Sequence, residues 1–184
     1  MRSLLPLLLT ILALAGCSTP GPIPGGSPDA PRVTPPAIGL FSKIAAPDHT
    51  RPVLQLRARG VQIFRCERDK EGWYWVFRQP EAQLLDSNER PVGRHGAGFS
   101  FDHADGSRLT GQVQSWQDAP DPAGDLKWLL LVTRSAGRGA FAGVTHVQRV
   151  NAQGGQPLAG CEAAQSRQLL RVPFEADFVF FKPR

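Results

Sequence analysis

The side chains best suited to catalysis lie together in one stretch of the chain. Residues 92–116 (VGRHGAGFSFDHADGSRLTGQVQSW) contain His95, Asp105 and Ser107, the residue types of a general base, an orienting carboxylate and a nucleophile. Such a set hydrolyses esters, peptides or glycosides. No G-x-S-x-G elbow accompanies it, and Asp105 and Ser107 flank Gly106, where tight turns favour both types for backbone hydrogen bonding. A turn is therefore the preferred interpretation, and a hydrolase site around His95 is the alternative.

Three histidines suggest a second kind of site. His95, His103 and His146, assisted by Asp102 or Asp105, are ligand types for zinc, copper or nickel. Their spacing does not match ligand pairs on a helix or a hairpin, and histidines are common at exposed strand ends. A metal site is thus only a hypothesis, and no cofactor is predicted.

Aromatic side chains favour a binding module. Tryptophan occurs at positions 73, 75, 116 and 128, and an exposed indole face stacks against sugars and other envelope components. Paired tryptophans on one strand are more often part of a core. The candidate ligand contacts are His95, Arg149 and Trp116.

The charge of the chain argues against a nucleic-acid partner. The formal net charge is +5 and the pI is about 9.6. However, the chain has no run of five or six Lys and Arg residues and no basic stripe interleaved with aromatic residues. The pattern is typical of a mildly basic, solvated surface.

The first residues predict export and a lipid anchor. Residues 1–16 carry one charge, Arg2, before an apolar run, LLPLLLTILALAG, which is typical of a secretory signal peptide and short for a transmembrane helix. The run ends at Leu14-Ala15-Gly16-Cys17, which resembles the bacterial lipobox, in which the cysteine carries the lipid. Ser18 in the next position favours the outer membrane. We expect lipidated Cys17 to hold the domain in the periplasm or at the cell surface, without a transmembrane helix. A cleaved signal with an ordinary Cys17 is the alternative.

The remaining cysteines predict one disulfide. If Cys17 is lipidated, only Cys66 and Cys161 can pair. Export would bring them to an oxidising compartment, where disulfides form and persist. Two free buried thiols are the alternative. No C-x-x-C spacing supports redox catalysis or a cysteine zinc site.

The rest of the pattern predicts one β domain after a linker. Residues 17–52 are rich in proline and glycine and form a spacer, with Ile38, Leu40, Phe41 and Ile44 docking on the domain. Residues 53–184 alternate apolar and polar residues between Gly, Pro and Asp clusters, which predicts an all-β fold, an antiparallel sandwich or barrel. We expect a strand break at Gly60, a doubly covered central strand at 72–79, a hairpin turn at Asp105-Gly106 and a strand at 141–150.

Many short blocks of the domain resemble the exported bacterial and fungal domain of unknown function 3455. The blocks are GVQIFRC at 60–66, VG at 92–93 followed by His95, DGS at 105–107 with Gly111, WLLL at 128–131, VT at 144–145 with QRV at 148–150, GG at 154–155 with Pro157 and Cys161, and VPFEADF at 172–178. Gly96, Phe99 and Phe101 replace the family's Tyr, Pro and Trp, and His146 replaces an aromatic residue. The resemblance implies no established activity, although some relatives carry a malate dehydrogenase description.

A glycine motif tests that description. Residues 137–142, GRGAFA, fit the G-x-G-x-x-A pattern of a dinucleotide site, which requires a helix after the glycines. The next residues, GVTHV, continue a β pattern, so a dehydrogenase is not supported. The sequence therefore predicts a lipid-anchored envelope protein with a binding or structural role. Its partner would be an envelope component or a small ligand.

Overall fold

Eight antiparallel strands form one closed barrel. The structure, a computed structural model, describes residues 33–34, 37–39 and 42–184. Each strand pairs with its sequence neighbours, and the last pairs with the first. The strands are β1 (Thr50–Arg68), β2 (Trp73–Leu85), β3 (Pro91–Gly96), β4 (Ser100–His103), β5 (Arg108–Gln117), β6 (Trp128–Ala136), β7 (His146–Gly154) and β8 (Leu169–Pro183). The all-β prediction is confirmed, and of its two alternatives the barrel is found.

The predictions about the chain start fall outside the described residues. Residues 1–32, which include the expected signal peptide, Cys17 and most of the linker, are not among them. Within the described residues, no helix is long and apolar enough to cross a membrane.

Alternate residues of the strands fill the barrel, as the pleat requires. The centre of the core is an aromatic cluster in which Phe101, Phe141, Phe178 and Phe180 are fully buried. Phe101 meets Phe178 edge to face, with ring centroids 5.0 Å apart, and Phe141 stacks on Phe180 at 4.9 Å. Burying each Phe side chain stabilises the fold by about 1.5–3 kcal/mol.

The expected strand break at Gly60 is wrong, because β1 continues through this residue. A Cβ atom at Gly60 would lie only 2.1 Å from the carbonyl oxygen of Glu81 and 2.5 Å from Cα of Ala82. The glycine therefore permits a close approach of β1 to β2. Glycine inside a strand marks such contacts as well as chain breaks.

The prediction of a doubly covered strand at 72–79 is also wrong. Residues 73–79 begin β2, whose Tyr74 and Phe77 are 43% and 47% exposed. A strand of a closed barrel has one inner face and one outer face, so apolar residues on both faces do not require cover on both sides.

The residues before β1 dock on the outside of the barrel, as expected for Ile44. This side chain is fully buried against Leu130, Val150, Val179 and Phe181 of β6, β7 and β8. Ile38 packs on the same cluster. The amide of Gln148 donates a hydrogen bond of 2.6 Å to the carbonyl oxygen of Ile44, which fixes the segment in place. Leu40 and Phe41 lie outside the described residues.

A disulfide joins Cys66 near the end of β1 to Cys161 in the loop before β8, which confirms the predicted pairing. The two Cα atoms are 5.9 Å apart, and the cysteines are separated by 95 positions. Closing a loop of this length stabilises a fold by about 4–5 kcal/mol in the chain-entropy model. The segment between β7 and β8, which contains Cys161, has one short 3₁₀ turn at Ala163–Gln165.

Candidate functional site

A cavity of about 310 Å³ opens at one mouth of the barrel. Its apolar lining includes Phe64, Phe77, Phe99, Val113, Trp116 and Leu129. Its polar lining consists of Gln62, His95, Lys127, Arg149 and Gln156. Apolar walls with a few polar groups, at this volume, are typical of small-ligand sites.

His95 lies on β3 and points into the barrel, where it is 2% exposed. Its ring stacks on Phe101 with centroids 4.5 Å apart and contacts Phe178 at 5.0 Å. Phe99 approaches the ring to 6.2 Å. Although Phe99 and Phe101 replace other residue types of the resembling family, the surroundings of His95 are therefore still aromatic.

The two ring nitrogens of His95 have different environments. Nδ1 lies 3.0 Å from the carbonyl oxygen of Ser100, and because a carbonyl can only accept, Nδ1 carries the hydrogen. The pKa of His95 is lowered to about 4, mainly by burial and in smaller part by the charge of Arg149, while the hydrogen bond to Ser100 opposes the shift. At neutral pH the ring is therefore uncharged, and Nε2 is a bare acceptor. No described residue bonds to this buried atom.

Arg149 lies on β7 and brings a buried positive charge to the same cavity. Its side chain is 7% exposed, and its Nε and Nη2 donate to the carbonyl oxygen of Lys127 at 3.1 and 2.8 Å. Burial lowers the pKa of Arg149 to about 10, so the guanidinium stays protonated at neutral pH. It forms no salt bridge with any carboxylate of the described residues.

The rim of the cavity is aromatic and basic. Trp116 on β5 is 50% exposed, and the Lys127 ammonium lies 3.7 Å from its ring centroid. This cation–π contact holds the indole at the entrance. The structure thus brings together His95, Arg149 and Trp116, the three residues named from the sequence as ligand contacts. That they bind a ligand stays a prediction.

Asp105 and Ser107 have a different role, at the turn between β4 and β5. The Ser107 hydroxyl donates to Oδ1 of Asp105 at 2.6 Å, and the N–H of Ala140 donates to Oδ2 at 2.7 Å. The N–H of Phe141 donates to the Ser107 hydroxyl at 3.2 Å. The Ser107 hydroxyl, followed by the N–H groups of Ala140 and Ser107, holds the pKa of Asp105 far below its usual range.

This clamp has two consequences for the sequence predictions. No hydrogen bond joins His95 to Asp105 or Ser107, so the geometry does not assemble the hydrolase set. The clamp also holds residues 137–143 in turns, with positive φ at Gly137 and Gly139. The strand expected at 141–150 therefore begins only at His146. No helix follows the glycines in this described loop, as a dinucleotide site would require.

The three histidines do not converge. His103 Nδ1 lies 3.0 Å from Oδ1 of Asp105, and His146 Nδ1 lies 3.0 Å from Oγ1 of Thr145. His95 faces the barrel interior. Among the described residues, no group of three or more His, Cys, Asp or Glu side chains is placed to hold a metal ion.

Sequence reasoning missed several residues of the cavity. Gln62 is 2% exposed and lies on the inner face of β1. Counting by twos from Leu56 through Ala58 and Gly60 places Gln62 on this face, so alternation alone could have found it. The same count leads to Phe64, because the bulge that shifts the register between Ile63 and Phe64 leaves its extra residue, Arg78, on β2 and keeps the alternation of β1 intact.

A larger groove of about 610 Å³ lies outside the barrel, beside Trp75 and residues 154–160. No ionisable side chain that lines it is buried. The barrel mouth is therefore the better candidate site.

Comparison with known proteins gives one match. The model of the family described as "Protein of unknown function (DUF3455)" matches residues 47–182, which contain the eight strands except the last residue of β8. The chain matches no curated protein and no solved structure.

Proposed function

We propose that this chain, which belongs to the family described as "Protein of unknown function (DUF3455)", binds a small, largely apolar molecule in the mouth of its barrel. One observation carries the proposal: His95 and Arg149 line an apolar cavity, and among the described residues Nε2 of His95 has no hydrogen-bond partner and Arg149 has no carboxylate partner. Buried polar groups in folded proteins normally have partners, and an unpaired buried charge is costly. A bound molecule would supply both partners.

The barrel itself supports this function. Eight strands enclose an interior that side chains either fill or leave open for one small ligand. Here the aromatic cluster fills the centre, and the cavity remains at the mouth. Phe77 and Trp116, about half exposed, form an apolar entrance, as expected where an apolar ligand enters.

Two valines allow a matched test with a neutral apolar dye, N-phenyl-1-naphthylamine, whose fluorescence rises in apolar surroundings. Val113 lines the cavity, whereas Val132 lies on the outside of the neighbouring strand, and both are 43% exposed. We expect the wild type and Val132→Trp to bind the dye equally, and Val113→Trp to bind at least about ten-fold more weakly because the indole fills the site. Equal binding by all three would place the dye elsewhere and contradict the proposal.

We also propose that the domain is exported and anchored to the outer membrane through lipid on Cys17, with the proline-rich residues 18–36 as a spacer. The apolar run before Cys17 and the disulfide between Cys66 and Cys161 support export. Ser18 supports the outer membrane as the destination. The bound molecule would then be met in the periplasm or at the cell surface.

Growth with radioactive palmitate tests the anchor. The full chain is expected to take up label and to sediment with outer membranes, and Cys17→Ser is expected to do neither. An unlabelled wild type would contradict the lipid anchor. Cys66→Ser serves as the control, since it removes a cysteine while leaving residues 1–17 intact.

A further inference from the structure

We infer, building on the proposed function, that the ligand of the barrel mouth is an aromatic carboxylate that carries a hydroxyl group. The inference rests on three features of the cavity: the sign of its charges, the hydrogen-bonding state of His95 and the nature of its walls. Each feature excludes a class of ligand.

The charges select an anion. Among the described residues, the ionisable side chains that line the cavity besides His95 are Lys127 and Arg149, and both are basic. Lys127 already pairs with Asp118 at 2.5 Å, whereas within the described part of the chain Arg149 has the carbonyl oxygen of Lys127 as its one partner. Its Nε and Nη2 groups donate to that oxygen, and Nη1 donates to no acceptor among the described residues. A guanidinium matches the geometry of a carboxylate, so a carboxylate would neutralise the buried charge.

The imidazole selects a donor on the same ligand. His95 uses its Nδ1 hydrogen for Ser100, and the unpaired Nε2 can only accept. A carboxylate cannot donate to this atom. An ammonium group could donate, but it would be repelled by the nearby Arg149. A neutral hydroxyl satisfies Nε2 without adding positive charge.

The walls select a flat apolar body. Phe64, Phe77, Phe99 and Trp116 supply four aromatic rings around about 310 Å³, and aromatic rings pack well against one another edge to face or offset. A single substituted ring is the body that suits a cavity of this size and lining.

Titration calorimetry with the full chain tests this ligand class. The probes are the ortho, meta and para isomers of hydroxybenzoate, with benzoate, which lacks the donor, and the hydroxybenzamides, which lack the charge. We expect one isomer to bind about ten-fold more tightly than benzoate and about 100-fold more tightly than its own amide. Benzoate binding as tightly as every isomer would overturn the role of the hydroxyl. An amide binding as tightly as its acid would overturn the role of the charge.

Variants assign each effect to its residue. In His95→Phe the best isomer and benzoate are expected to bind equally, and in Arg149→Met the acid and its amide are expected to bind equally. Arg108→Met is the matched control, because this arginine is exposed and pairs with Asp102 outside the cavity. If His95→Phe still prefers the hydroxylated acid to benzoate, or Arg149→Met still prefers the acid to its amide, the role given to that residue is contradicted. If a variant does not fold, the ligand comparison on the wild type still decides the class.

The two proposals fail separately. If no hydroxybenzoate binds but the apolar dye binds and Val113→Trp blocks it, the inferred ligand class is wrong and the binding function stands. If the dye also fails to bind, the binding function is wrong.

Discussion

The buried imidazole of His95 predicts a loss of stability in mild acid. Its pKa falls from 6.5 in the unfolded chain to about 4 in the fold, mainly because burial penalises the charged ring. Between these two pH values the unfolded state binds a proton at His95 and the folded state does not. The free energy of unfolding therefore decreases as the pH falls. At about 1.4 kcal/mol for each pH unit, His95 should remove about 2 kcal/mol by pH 5 and about 3 kcal/mol by pH 4. Above pH 7 it should have no such effect.

Urea unfolding of the wild type and His95→Asn from pH 7.5 to 4 measures this contribution. Asparagine can keep a donor toward the Ser100 carbonyl, but it does not titrate, so its own destabilisation is the same at every pH. The difference between the two proteins should therefore shrink by about 3 kcal/mol on acidification. Parallel curves for the two proteins would show that His95 is not a buried neutral base, and the argument for Nε2 as an acceptor would fall with it.

Three further outcomes follow from the fold. Cys161→Ser should lower the free energy of unfolding by about 4–5 kcal/mol. Dithiothreitol should then lower the stability of this variant little further. If dithiothreitol destabilises the variant as much as the wild type, the loss does not come from the disulfide. Asp105→Asn should lower the melting temperature clearly, because the carboxylate clamps two segments, whereas Asp102→Asn, at an exposed ion pair, should change it little. Gly60→Ala should cost about 2 kcal/mol or more, measured by urea unfolding against Gly160→Ala, whose added Cβ meets nothing within 4 Å.

Local alternation and turn chemistry were enough to predict most of the strands, but not how they close. The prediction of a turn at Asp105-Gly106 is confirmed, and Gly106 has the positive φ that such turns require. Closure depends instead on the pairing of β1 with β8, between residues more than a hundred positions apart. Gly60 shows the same limit of local sequence patterns. A glycine is needed at this position because the carbonyl oxygen of Glu81 on the neighbouring strand lies close to it, and Glu81 is too far along the chain for a local pattern to include.

The candidate site, like the fold, is only partly predictable from local sequence. Residue type alone points to His95, Arg149 and Trp116, but the register of the barrel is what places them around one cavity. The same register separates His95 from Asp105 and Ser107, although all three lie within one short stretch. Sequence proximity suggested a triad because it cannot distinguish the inner face of a strand from a turn at its end.

The inner face of the barrel is apolar at its centre and includes the polar side chains of His95 and Arg149 toward its mouth. The predicted acid sensitivity and the proposed binding both arise from this difference. Phe101 and Phe178 exclude water from His95, which keeps the ring neutral and leaves Nε2 without a partner. Arg149 stays charged despite its own burial, and it pairs with no carboxylate of the described residues. An apolar core alone would not retain such groups, because each lowers stability. A ligand that binds only the folded state raises stability by about 2.7 kcal/mol at one hundred times its dissociation constant, comparable to the acid-linked loss at His95. Ligand and fold are therefore expected to stabilise each other through the same two side chains.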